Sequence, residues 1–438
     1  MKKNINNQVY SLLAYVSQFG FSFGAFLVLI RILSPEDLGL WILYLTIFTI
    51  AEQARVGLIH NGYVKYYKAQ KFSFDVLTSS TLLLGLGAGL LLALLVLILC
   101  WIIGWSGGNP HLIMMGALYP LFAILGTIQK FWETHWMATE RFQHVAMTKS
   151  IYGVAFLSSI GIFMYGSQLS ISYLPLLQMS SVALTLLVSW LFLQVPTTKY
   201  NYCLSCINEL FNYGRYVLGT NISSIVLNKM DVFVLSALIG PVGVALYNAA
   251  SKLINVIEIP LSSISQVVFP KISHSFHQSS VKNTGLVISQ STFITVSIML
   301  PCGMLLFAFA DTAIIWVAGE TYQASTSILK VLAIATILKS IGRISGISLD
   351  AIGKPDWNYY LLISSVFINL GFSIVLFKLY GILGIALSTI VTLFFNTIAS
   401  IYLLNRVIPI TVQTVITSVE LTFKSLINSY KHEISIRS

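Results

Sequence analysis

Lys252 lies about nine residues inside a long apolar run that opens near position 243, too deep for its ammonium to reach water easily if the run crosses a membrane. A buried amine of this kind is costly unless it meets a carboxylate or an anionic ligand. Other apolar runs carry Lys229 with Asp231, Glu258, Glu52 with Arg55, Lys130, and Lys339 with Arg343. Lys339 and Arg343 are four apart and share a helix face, a spacing that lets two cations grip one phosphate group. The cations Lys229, Lys252, Lys339, Arg343, Arg55 and Lys130 outnumber the acids Glu52, Asp231 and Glu258, so the chemistry expected is the binding of an anion. The three acids are the groups expected to couple to protons or sodium, because a carboxylate in a low-dielectric site titrates near neutral pH.

Each of these residues also has a structural reading. Glu52 and Arg55 are three apart on one helix and suit a fixed ion pair equally well. Lys130 and Arg215 fall near the inner ends of their runs and can extend to the interface. Lys252 can pair with Asp231 or Glu258 instead of a ligand. Arg31, beside Glu36 and Asp37, reads as an interface anchor. Cys203 and Cys206 form a C-x-x-C with no second pair, and His274 and His277 have no third ligand, so no metal or other cofactor is expected. With no glycine-rich phosphate loop bearing Lys and Ser/Thr, direct use of ATP is not expected either.

The elements that must hold these residues follow from composition. The 438 residues are 56% hydrophobic and only 9% charged, against about 25% charged in a soluble domain. Such a chain cannot solvate its own surface, and an all-α integral membrane protein follows. Apolar stretches of about 20 residues give twelve expected helices, at 11–32, 37–59, 76–104, 111–132, 147–166, 171–195, 214–238, 243–269, 284–309, 324–348, 358–378 and 382–404. Runs such as Leu82 to Ile103 do not alternate, which excludes a barrel. Met1 to Gln8 offers lysines and no small-residue cleavage site, so no removable leader is expected. Lys2, Lys3, Lys65, Lys68, Lys71, Arg141, Lys199, Lys271, Lys282, Lys354 and Arg406 all fall on one side of a twelve-span chain. Both termini are therefore expected in the cytoplasm, and the net charge of +10 is that orientation signal rather than a nucleic-acid site.

The polar connector from Pro196 to Asn212 divides the chain into two expected six-helix bundles, 1–199 and 200–405, with a tail at 406–438. A shift of 206 places sets Pro35 on Pro241, Trp41 on Tyr247, Glu52 on Glu258 and Lys65 on Lys271. Six helices preserve direction, so the repeats are parallel, with the substrate expected in a cationic cavity between the bundles and reached by alternating access. In the tail, Val412, Val415, Ile416, Val419, Phe423, Leu426 and Ile427 recur at helical spacing opposite Thr414, Ser418, Glu420 and Lys424. That pattern predicts an amphipathic helix on the inner leaflet.

The segment Ala25 to Trp41, AFLVLIRILSPEDLGLW, resembles the first-helix signature of O-antigen and capsular polysaccharide flippases of the Wzx type. Asn228 to Asp231, Ile239 to Tyr247, Tyr213-Gly214 and Ala138 to Phe142 are similar to other signatures of the same family. The resemblance implies a fold of two six-helix bundles set in a V, as in multidrug and toxic compound extruders. It implies a substrate built as an oligosaccharide linked through diphosphate to undecaprenol, moved from the cytoplasmic to the periplasmic leaflet of the bacterial inner membrane, with no enzymatic step. The cationic cavity would then hold the diphosphate, and protons or sodium would drive exchange. Membrane lipids surround the prenyl tail, and a polysaccharide polymerase and chain-length regulator are the implied partners. A drug or cation antiporter of the same fold would want acids in excess. A membrane polymerase or ligase would need a large outer loop, where this sequence has only short ones.

Overall fold

Helix is the only regular structure among the described residues, as lipid demands, since every backbone N–H and C=O within it must be satisfied inside its own segment. The computed structural model describes residues 2–420 apart from 108, 167–169, 194, 197–198, 279–280, 411–412 and 415. Its α-helices are α1 (Lys2–Ile32), α2 (Pro35–Lys68), α3 (Phe74–Ser106), α4 (Pro110–Ala138), α5 (Phe142–Gly166), α6 (Leu174–Phe192), α7 (Leu204–Leu238), α8 (Pro241–Ile257), α9 (Ile259–Gln278), α10 (Val281–Ala308), α11 (Ala310–Ala318), α12 (Ser325–Ala351), α13 (Pro355–Tyr380) and α14 (Ile382–Asn405). All twelve predicted runs coincide with helices. The eighth is broken into α8 and α9, and the short α11 is an addition. By length and composition, eight of the described helices can cross a membrane, and the pair α8 and α9, bent by 48°, makes up to nine. The other three runs are α1, α7 and α12.

Helices α2, α4 and α7 run well past the predicted ends on the side that carries most of the lysines. Tyr63, Tyr66, Leu77, Phe131, Cys206 and Leu210 pack together there, so an aromatic core holds the helices beyond the purely apolar stretches. The start of α2 is set by local chemistry. The Ser34 hydroxyl accepts from the backbone N–H of Asp37 at 3.1 Å and donates to its carboxylate at 2.9 Å. Pro35 supplies a pre-set φ at the first helical position, and Glu36 and Asp37 face the positive end of the dipole.

Cα packing divides the chain into two units, Met1–Ser236 with Gly240–Ala245, and Ala237–Ile239 with Leu246–Ser438. Helix α7 packs with the first unit up to Ser236. Gly214 lets α7 lie backbone to backbone on Leu58 of α2. In the first unit α3 is inverted relative to a soluble helix. Leu90, Leu91, Leu94, Leu95, Ile98 and Leu99 are exposed, while Gly85, Gly89, Ala93, Cys100 and Gly104 are buried. Small residues bring α3 and α4 together, since a Cβ on Gly104 would fall 2.7 Å from the Ile113 side chain. In the second unit Ile272, Ile288, Ile344, Leu349, Leu404 and Ile408 form the core. Ser373 of α13 and Ser388 of α14 are hydrogen-bonded at 2.7 Å, a polar contact between spans.

Of the predicted tail helix, Val412, Val415, Phe423, Lys424, Leu426 and Ile427 lie outside the described residues. Residues 413–414 and 416–420 are helical; Thr414 and Ser418 are buried and Ile416 is exposed, so the hydroxyl face packs on the protein and an apolar residue looks outward.

Candidate functional site

Two of the predicted site residues in the first unit form a closed network. Arg55 of α2 has no exposed surface. Its Nη1 donates to the Ala123 carbonyl at 2.5 Å and to Thr127 Oγ1 at 2.7 Å, and its Nη2 pairs with Glu52 on the same helix. Tyr119 of α4 donates to the other oxygen of Glu52 at 2.8 Å. Glycines open the space for the guanidinium, since a Cβ on Gly126 would fall 3.0 Å from Nη2 and one on Gly89 3.6 Å from Nη1. Three helices therefore enclose Arg55, and it presents nothing to a solute. Its geometry is that of an ion pair stitching α2 to α4, and Glu52 is held in the same network.

Lower in the same unit, Lys130 pairs with Glu133 one turn along α4 at 2.8 Å, the lysine side chain one-third exposed and the glutamate buried. Gln129 donates to the same carboxylate at 3.4 Å. Lys149 of α5 and His60 of α2 both interact electrostatically with Glu133 and Lys130, and His60 Nδ1 is 2.8 Å from Thr134 Oγ1. Glu133, Lys149 and His60 are the groups that sequence reading passed over. The three-residue spacing of Lys130 and Glu133 was the available signal for the first of them. On α7, Lys229 and Asp231 are half-buried and interact electrostatically with each other.

The second unit holds the other cations. Lys252 on α8 is half-buried and takes part in interactions within the chain. Six residues further on, Glu258 sits at the junction between α8 and α9. Pro260 has no N–H with which to continue the helix, and the 48° bend falls there. The junction is bridged by Glu258 N to Ile254 O and by Ser262 N to Glu258 O, both 3.1 Å. The Glu258 carboxylate meets Lys339 of α12 at 2.8 Å, an ion pair whose approach lies off hydrogen-bond geometry. The Lys339 side chain is 43% exposed and that of Glu258 14%. Arg343, one turn beyond Lys339, is exposed. The structure thus joins Glu258 to Lys339 and places Arg343 beside them on α12. Among the described residues no group of three or more His, Cys, Asp or Glu side chains could hold a metal ion.

The arrangement of helices is that of a known transporter fold. Over 95% of this chain and 99% of the other, it superposes with a TM-score of 0.74 and 15% identity on an inward-facing multidrug resistance transporter of the MATE family and MOP superfamily. The protein is a multi-pass membrane protein with the MOP-superfamily fold. Residues 28–327 match the polysaccharide biosynthesis protein family, and the chain belongs to it. Among curated relatives, a probable low-salt glycan biosynthesis flippase of Haloferax volcanii is 24% identical over 226 residues, 52% of this chain and 48% of that one. A putative O-antigen transporter of Shigella flexneri is 24% identical over 279 residues, 63% of this chain and 65% of its own length. The matched stretch spans about half the length of the first of these relatives and about two thirds of the second.

Proposed function

We propose that this protein is a flippase for prenyl-diphosphate-linked oligosaccharides that supply a surface polysaccharide such as O-antigen or capsule. The observation that carries the reading is the charge on α8 and α12. Lys252 lies on α8 and Lys339 and Arg343 on α12, where Lys339 pairs with Glu258, in a member of the polysaccharide biosynthesis family. Cations in excess suit a diphosphate, and Arg343 with Lys339 would take it as a two-point grip. Lys229 and Lys130 are secondary contacts in this reading, and Asp231 and Glu258 are the acids left to couple a proton or sodium. Arg55 and Glu52 serve as structure.

In this reading the chain consists of two parallel six-helix repeats. It sits in the bacterial inner membrane with both termini in the cytoplasm and works by alternating access, ahead of a polymerase and a chain-length regulator. Deletion of the gene is expected to abolish the long-chain surface polysaccharide and to leave lipid-linked repeat units accumulating in the membrane. Unchanged polysaccharide, or its loss without such accumulation, would refute the assignment. A cation antiporter would instead show as lost resistance to cationic drugs with the polysaccharide intact.

A further inference from the structure

We propose that Glu258 is an internal stand-in for the substrate's anion, holding Lys339 until a diphosphate displaces it. This rests on the prenyl-diphosphate reading above and adds a residue that regulates access to the cationic site.

The repeat supplies the first argument. Glu52 and Glu258 occupy matching places under the 206-residue shift, and each reaches across to the fourth long helix of its half. The two are built for different ends. Glu52 is locked by Arg55 and Tyr119, and Arg55 is in turn fixed to Ala123 and Thr127 with no exposed surface. Among the described residues Glu258 makes one ion pair, with Lys339, and its buried Oε1 makes no aligned hydrogen bond. Charge alone holds this contact, and the Lys339 side chain remains 43% exposed. An incoming anion can therefore meet the ammonium without unpacking a helix.

The second argument is valence. A carboxylate offers one negative charge to Lys339, whereas a diphosphate esterified at both ends offers two and can engage Arg343 one turn along the same face. Exchange leaves the two cations on the ligand and releases Glu258 at the point where Pro260 interrupts the helix. The pair thus keeps Lys339 oriented and neutralised in the empty protein, avoiding an uncompensated charge within the membrane.

A competitor lowers the apparent affinity by the fraction of protein in which it holds the site. The test is binding of geranylgeranyl diphosphate to the purified full-length protein in detergent micelles. Wild type is expected to bind, and Glu258→Gln to bind tighter by roughly tenfold, as follows if the pair is closed about nine-tenths of the time. Glu258→Asp, which keeps the charge and shortens the reach, gives a smaller gain in the same direction. Lys339→Ala loses affinity, and adding Glu258→Gln to it restores none. Damage to the fold lowers affinity and does not raise it, so a gain marks competition. Equal or weaker binding by both Glu258 variants, with wild type binding, overturns the stand-in role alone. Failure of wild type and every variant to bind the prenyl diphosphate overturns the functional reading together with the inference that depends on it.

Discussion

The backbone of Gly39 in α2 lies directly against the carbonyl of Pro241 at the start of α8, so closely that a Cβ at position 39 would overlap it. Gly214 of α7 stands in the same relation to the carbonyl of Leu58. Both glycines belong to segments that carry the family resemblance, and their constraint is steric. Gly39→Val and Gly214→Val are each expected to destabilise the protein by about 1–3 kcal/mol or more, seen as a lower midpoint in thermal unfolding in detergent. Gly87→Val is the control, because no atom lies within 4 Å of a Cβ there. If all three variants melt alike, the close approaches do not constrain the fold.

Arg55→Met should cost about 3–5 kcal/mol, the penalty of leaving a buried carboxylate without its partner. Glu52→Gln combined with Arg55→Met should recover most of that loss, since a buried ion pair is often replaceable as a unit. Thermal stability and surface-polysaccharide complementation, measured on the same variants, check this. If the double variant is stable but inactive, Arg55 and Glu52 do more than hold α2 to α4.

Much of this architecture was legible in the sequence because lipid enforces long apolar runs, and each predicted run meets a helix. The ends of α2, α4 and α7 were not legible. Tyr63, Tyr66, Phe131 and Leu210 build a mixed aromatic core past the point where hydropathy falls. Glu52 with Arg55 was readable from a spacing of three, as Lys130 with Glu133 should have been. Lys339 with Glu258 was not, because 81 residues separate the two and only tertiary packing brings α12 to the α8/α9 junction.

Cys203 offers a test of orientation. It lies just before α7, and hydrogen bonds from Ser205 and from the backbone N–H groups of Ser205 and Cys206 hold its thiol below the usual cysteine range, favouring the reactive thiolate. Cys100 and Cys206 are buried and Cys302 of α10 is half-buried, so the labelling is done in a Cys302→Ser background. A membrane-impermeant maleimide is expected to label Cys203 in inside-out vesicles and not in right-side-out ones, with Cys203→Ser abolishing the signal. Labelling from the outer face would reverse the assigned topology.

Lys339→Ala alone should weaken flipping less than Lys339→Ala with Arg343→Ala, because each cation of a two-point grip leaves the other in place. The rate of appearance of lipid-linked sugar at the far leaflet, compared across the two single variants and the double, checks this. An effect of Lys339→Ala as large as that of the double variant would remove Arg343 from the site.

The most direct measurement is reconstitution. Proteoliposomes carrying the purified protein and a polyprenyl-diphosphate-linked oligosaccharide extracted from the native host are assayed for movement of the sugar to the opposite leaflet. Wild type should move it well above the protein-free rate, and the folded Lys339→Ala/Arg343→Ala variant should fall to that rate. Equal movement by wild type and the double variant, or none by wild type, would contradict a flippase that grips its substrate through these cations.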